Sequence, residues 1–279
     1  MKRRIIIGLC LLLAAVLGLT GAVGYLTFLR PADNPPADAC AGGAGKRPRV
    51  VAAGASMTQG ALGANWVAAL RARPELRGYE VVNAGVNGNT TADLRQRVDT
   101  DIVACRPAAV TILIGTNDVR NGVPLEQYRA NLDAIVDRVR TRTTARIALV
   151  SLPPLGEDLN TDLNRRLRAY NAAIQQAAAR AEVDYLPLHE RLIDGLQGTG
   201  GRMPYDFSFP LALAVAAQHY LLGRSWDEIA HDGGRELLVD HVHLSDRGGA
   251  IVADLVGQWL TSRLDDAVRD RTARLAPPA

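Results

Sequence analysis

Lysine is almost absent from this chain: Lys2 and Lys46 are the only two among 32 basic residues. Aromatic side chains are also scarce, at 5%, and no block of Lys or Arg is interleaved with them. The combination excludes the basic, base-stacking groove of a nucleic-acid binder. The formal charge of +3 is a local effect. Residues 1–30 hold four bases and no acid, and the remainder carries 28 bases against 29 acids, about −1. Cysteine is scarce too, and outside the N-terminal apolar run only Cys40 and Cys105 remain. Neither has the neighbours of a metal or thiol-enzyme site. In an oxidising compartment they would join as one disulfide; otherwise Cys40 is an exposed thiol and Cys105 a small buried one. His189, His219 and His231 share no convergent spacing with acids, so neither metal nor cofactor is expected.

Only one hydrophobic run is long. Residues 5–29 are 25 uncharged positions that follow Lys2-Arg3-Arg4, enough to span a bilayer. The basic flank keeps the N-terminus cytoplasmic and sends the remainder outward, to a periplasmic or cell-surface position. A cleaved signal peptide is the rival reading, with small residues near Ala15 or Thr20-Gly21-Ala22, and it would release a secreted protein. The run continues past both places to Leu29, which favours an uncleaved anchor. Cys10 lies too early to serve as a lipoprotein cysteine.

With 279 residues, one good core is expected. Residues 1–30 read as the transmembrane signal-anchor and 31–48, rich in Pro, Ala, Gly and Asp, as a flexible linker. The domain follows over 49–267, with an insertion at 195–239 and a disordered tail at 268–279. Strands are expected near residues 49–53, 79–83, 108–114, 146–151 and 183–188, with helices between them, the first over 58–73. Residues 108–114 are almost wholly apolar, as a parallel strand covered on both faces should be. Tyr128, Leu132, Ile135, Val136 and Val139 form one helical stripe. Strand–helix alternation with short connections predicts a flavodoxin-like, three-layer α/β/α fold, its five-stranded sheet doubly wound and mainly parallel. No internal repeat or second core interrupts it. The insertion has no charge between Phe207 and Leu222, so it packs on the domain edge, lines a cleft as a lid, or touches the membrane.

Three loops at the carboxyl ends of expected strands carry Ser56, Gly88 and Asn117, where doubly wound folds gather ligands. A fourth, just before the last helix, carries Asp240 and His243. A serine hydroxyl needs a base to take its proton, and a carboxylate to fix the imidazole tautomer. Asp240 and His243 supply both from one turn, with His241 the weaker alternative to His243. The Ser56 and Gly88 N–H groups and the Asn117 amide make a candidate oxyanion hole. Asn87, Asp118, Pro153, Phe207 and His241 are candidates for substrate contact, though Asp118 reads first as a loop-bracing carboxylate and His241 as a loop or pocket-wall residue.

In this order Ser56, Gly88, Asn117 and His243 resemble the SGNH hydrolases, also called GDSL esterases/lipases. The Asn83–Thr90 loop, the Gly115-Thr116-Asn117-Asp118 turn and the Asp240/His243 pair match that family's blocks. The resemblance implies ester hydrolysis through an acyl-serine. Ser56 is then the nucleophile, His243 the base and later the acid, and Asp240 its orienting partner. One departure stands out. Gly54-Ala55-Ser56 replaces the usual Gly-Asp-Ser, which removes a carboxylate that braces the nucleophile turn.

The expected activity is therefore a serine esterase needing no obligate protein partner. The apolar 207–222 segment and the anchor favour lipid-like or medium-chain acyl esters, as in lysophospholipase-like relatives. O-acetyl groups on an envelope or extracellular polysaccharide are the alternative substrate. A non-catalytic glycan- or lipid-binding protein is the rival class, and a long Ser56–His243 separation would mark it.

Overall fold

The computed structural model describes residues 2–42, 47–196 and 203–275, with side chains described as far as 262. Five parallel strands form one sheet in the order β2-β1-β3-β4-β5. They are β1 (Arg49–Gly54), β2 (Glu80–Gly85), β3 (Ala109–Leu113), β4 (Arg146–Val150) and β5 (Asp184–Leu186). This is the doubly wound order of flavodoxin-like folds, with its switch point between β1 and β3. Every residue of β1 and β3 is buried, so their mostly apolar sequences reflect helices on both faces.

The helices are α1 (Lys2–Gly24), α2 (Pro36–Ala39), α3 (Ser56–Gln59), α4 (Trp66–Arg71), α5 (Thr91–Asp101) and α6 (Thr116–Asn121), then α7 (Leu125–Arg142), α8 (Asp162–Ala181), α9 (Leu188–Leu196), α10 (Phe209–Leu222), α11 (Trp226–Asp232) and α12 (Asp246–Leu275). The pairs α5·α7 and α7·α8 pack as one outer layer, and α4·α12 and α9·α12 as the other. The stripe read on α7 is the buried one: Tyr128, Leu132, Ile135, Val136 and Val139 all face the core. A capping box at Thr90 and Asp93 starts α5 directly after the β2 loop and so fixes where that loop ends.

Two expectations give way. The helix read over residues 58–73 is two short helices, because Gly60 stands in the left-handed region at φ 72°. The intervening loop instead reaches the far end of the chain, where the Ala64 N–H donates to Leu244 O at 2.9 Å. The helix α12 runs to Leu275, and residues 276–279 of the tail read from 268 lie outside the described residues.

The 31–48 segment does not behave as a flexible linker over its described part. Asn34 donates to Val81 O at 2.9 Å and accepts from the Asn83 N–H at 3.1 Å, covering the open edge of β2. Cys40 pairs with Cys105, closing a loop of sequence separation 65. Both ends of the segment are thus tied to the domain. The Cys40–Cys105 pair is one of the two readings that the sequence offers, whereas the Asn34 edge bonds have no local signal.

Closing a loop of that length removes chain entropy from the unfolded state, worth about 4 kcal/mol. Chemical denaturation with and without reductant should show a loss approaching that value. An unchanged midpoint would mean that the edge hydrogen bonds alone hold the segment.

Candidate active site

The carboxyl ends of β1, β2 and β3 bring the first three sequence blocks together. β1 ends at Gly54, and Ser56 opens α3, so its N–H belongs to the helix's unpaired first turn. Close approach requires glycine here: a Cβ on Gly85 would run into the backbone of Thr58 and Gln59. Gly88 lies at φ 77° on the exposed tip of the β2 loop, a conformation that a side chain would strain. Asn117 sits in the first turn of α6, its amide donating to Asn89 O at 2.9 Å. That bond ties the β3 loop to the β2 loop and leaves a second amide proton for a ligand.

The Asp240/His243 turn closes on Ser56 from the other side. His243 Nε2 lies 2.9 Å from Ser56 Oγ, and His243 Nδ1 lies 2.7 Å from Asp240 Oδ2. Asp240 Oδ1 accepts the backbone N–H groups of Val242 and His243 at 3.1 and 2.8 Å. Complete burial pushes the Asp240 carboxyl up, but the charge and hydrogen bonds of His243, with the Val242 N–H, outweigh it. The group is held below the usual carboxylate range. A serine, an imidazole and an ionised carboxylate are therefore in line at hydrogen-bond distances. The separation expected of a non-catalytic module is absent.

The missing carboxylate at Ala55 is replaced by main-chain bonds and one arginine. Ala55 O accepts from the Thr58 and Gln59 N–H groups at 3.1 and 2.9 Å. Gly54 O accepts from Val86 N at 3.2 Å and from Arg97 Nη2 at 2.9 Å. Arg97 also donates to Ala84 O and to the Asn89 side chain, so one guanidinium joins the β1 turn to the β2 loop.

The remaining candidates divide. Phe207 stands beside the site, its ring centroid 6.3 Å from that of His243. Asn87 is at the site's edge but donates to Phe28 O at 3.3 Å. Asp118 is corrected: it is fully buried and accepts from the Thr91 N–H and hydroxyl, and burial raises its carboxyl. It braces the start of α5 and does not face substrate. Pro153 is buried in the loop after β4. His241 is likewise buried, at φ 73°, its carbonyl accepting the Gly156 N–H at 2.8 Å. Burial, then the nearby Arg235 charge, lowers its imidazole pKa. It is a structural member of the turn, while His243 reaches the serine.

Sequence reasoning passed over three residues. Arg120 donates to Asn117 Oδ1 at 3.1 Å and to the Tyr205 hydroxyl at 2.8 Å, with its guanidinium 4.4 Å from the centre of the Phe207 ring. Arg235 donates to Leu238 O and Val239 O at 3.1 and 2.8 Å, just ahead of Asp240. Glu157 is buried and accepts from three successive N–H groups: Glu236 at 2.9 Å, Leu237 at 2.7 Å and Leu238 at 3.0 Å. Glu157 sits beside Asp158 in the loop after β4, and its partners lie 79 to 81 residues away, so no local signal marks that role.

Glu157 thus positions the histidine turn without touching a reacting atom. Glu157→Ala leaves three donors without an acceptor, two of them buried, which should cost about 2 kcal/mol in stability. Turnover should fall by about tenfold or more with KM little changed, because a displaced base loses its near-attack geometry. Glu157→Gln keeps one acceptor oxygen and should recover most of both. Equal kcat in the alanine variant would remove Glu157 from the positioning role.

Comparisons with known proteins agree with this geometry. The model of the GDSL-like Lipase/Acylhydrolase family matches residues 52–251. Esterase TesA of Pseudomonas aeruginosa is 30% identical over 164 residues, 58% of this chain and 76% of that protein. An acetylxylan esterase of Geobacillus stearothermophilus is 33% identical over 135 residues, 43% of this chain and 60% of that one. The crystal structure of Axe2, an acetylxylan esterase from Geobacillus stearothermophilus, shares the fold at a TM-score of 0.55 and 23% identity. It covers 77% of this chain and 93% of its own. The chain belongs to the GDSL-like lipase/acylhydrolase family and is a serine esterase of the SGNH type.

Proposed function

We propose that this esterase is anchored by its N-terminal helix with the catalytic domain on the extracytoplasmic side, and that it cleaves lipid-like or medium-chain acyl esters. The observation that carries the reaction is the Ser56–His243–Asp240 line of hydrogen bonds at 2.9 and 2.7 Å. Ser56 Oγ attacks the ester carbonyl as His243 Nε2 takes its proton. The tetrahedral oxyanion is met by the Ser56 and Gly88 N–H groups and the free amide proton of Asn117. His243 returns the proton to the leaving alcohol, giving the acyl-serine, and then activates the water that releases the acid. Asp240 stays ionised and fixes the imidazole.

The anchored reading has three supports. Residues 3–29 form a helix long and apolar enough to cross a membrane. Val23 and Thr27, near its end, are buried, with Val23 in one cluster with Ala212, Val215 and Ala216 of α10. A leader built into the folded domain in this way is unlike a peptide meant for removal. The Cys40–Cys105 disulfide fits an oxidising compartment. The acyl-ester reading is supported by the apolar α10 and by Phe207 beside His243. A specific observation favours the alternative of O-acetyl groups on a polysaccharide. Tyr205, Phe207 and Arg120 make an aromatic and cationic wall suited to a sugar ring.

Aryl esters from acetyl to long-chain acyl, with Ser56→Ala as control, separate these readings. kcat/KM should rise from acetyl to medium-chain esters and vanish in the control. A maximum at acetyl, with acetylated oligosaccharides turned over faster still, would support the polysaccharide reading. Undiminished turnover by Ser56→Ala would remove the assigned nucleophile.

A further inference from the structure

The end of the apolar helix is bound to residues that neighbour the candidate catalytic ones. α1 gives way to a wider turn over Tyr25–Leu29, and its last carbonyls are held by residues next to the catalytic ones. Gln59, three positions after Ser56, donates to Arg30 O at 2.5 Å. Asn87, next to Gly88, donates to Phe28 O at 3.3 Å. Aromatic rings continue the contact, with centroids 5.9 Å apart from Phe28 to Phe209, 5.8 Å from Phe209 to Phe207 and 6.3 Å from Phe207 to His243. Between helix end and β2 loop lies a cavity of about 390 Å³, lined in part by Phe28, Leu29, Gln59, Val86 and Asn87.

The helix sets the height of this cleft. A hydrocarbon core of about 30 Å is filled by roughly 20 helical residues at 1.5 Å each. With Arg3 and Arg4 in the inner headgroups, about residues 5–24 fill it, and Tyr25–Arg30 emerge among the outer headgroups. The domain is fixed to that turn, so its mouth is fixed to the leaflet surface. The side chains exposed there are apolar: Leu29 is 72% and Phe209 70% exposed, joined by Tyr25 and Val86. Facing water they are a cost; facing the acyl boundary they are anchors.

We infer that Tyr25, Leu29, Val86 and Phe209 form a membrane-docking surface seated on the outer leaflet, and that Ser56 receives acyl-ester amphiphiles directly from that leaflet. The inference rests on the anchored esterase reading and narrows it. The occupant is the lipid bilayer, because the surface is continuous with the membrane-length helix. A free polymer would have to reach a mouth held against the headgroups.

The test uses the full chain in phosphatidylcholine vesicles. An environment-sensitive fluorophore is placed at Phe209→Cys, or at Arg142→Cys, which precedes β4 on the opposite side of the sheet, both in a Cys10→Ser background. Nitroxide lipids labelled near the headgroup should quench the probe at 209 and leave the probe at 142 bright. Equal brightness at the two positions would overturn the docking surface. In the second arm, Tyr25→Glu should slow hydrolysis of a vesicle-embedded acyl ester by about tenfold while leaving soluble p-nitrophenyl acetate within about twofold. An equal effect on both esters, or none, would overturn delivery from the leaflet. If the unsubstituted chain hydrolyses neither ester, the esterase reading fails, and the quenching arm still decides the docking.

Discussion

The proposed chemistry depends on holding His243 Nε2 within 2.9 Å of Ser56 Oγ although the two residues are 187 positions apart. No local structure can do this. The parallel sheet delivers the serine from the end of β1, and the loop before α12 must bring the histidine back to it. That loop is held from several directions. Asp240 accepts its N–H groups from within, Glu157 accepts three N–H groups just upstream, and Arg235 binds the intervening carbonyls. Ala64, in the loop after α3, donates to Leu244 O and links the nucleophile side to the histidine side. Buried, charge-assisted bonds of this kind are strong only when every member is present, so the turn is rigid as a unit.

The departure at Ala55 fits the same pattern. Losing a carboxylate from the nucleophile turn removes an acceptor, but the acceptors that remain are well served. Arg97 reaches Gly54 O, Ala84 O and Asn89, and Asn89 in turn holds Asn117. The brace has moved from the turn itself to a side chain of α5. The serine keeps its orientation because the constraint is on the backbone, and an arginine from a neighbouring helix supplies it.

What the sequence makes legible here follows from the range of the interactions. β3 and the α7 stripe are written in local periodicity, and the four site blocks in local turn chemistry, so both could be read. Tyr128 to Val139 all face the core as the spacing requires. The broken helix after Ser56, the docked 31–48 segment and the Glu157 clamp depend on partners far along the chain. Glu157 and Leu238 are separated by 81 residues, and nothing near Glu157 marks it. Asp118, read both as a loop-bracing carboxylate and as a candidate for substrate contact, accepts from Thr91, 27 residues away, and is buried there.

The N-terminal helix, first read as a tether, is bound at its end by Gln59 and Asn87, neighbours of the candidate site. All of these features converge on one serine activated by one histidine. Labelling by a fluorophosphonate, followed by intact mass and peptide mapping, examines that directly. A single adduct on Ser56, with labelling lost in His243→Ala, is the result required. An adduct elsewhere, or equal labelling without His243, would contradict the account.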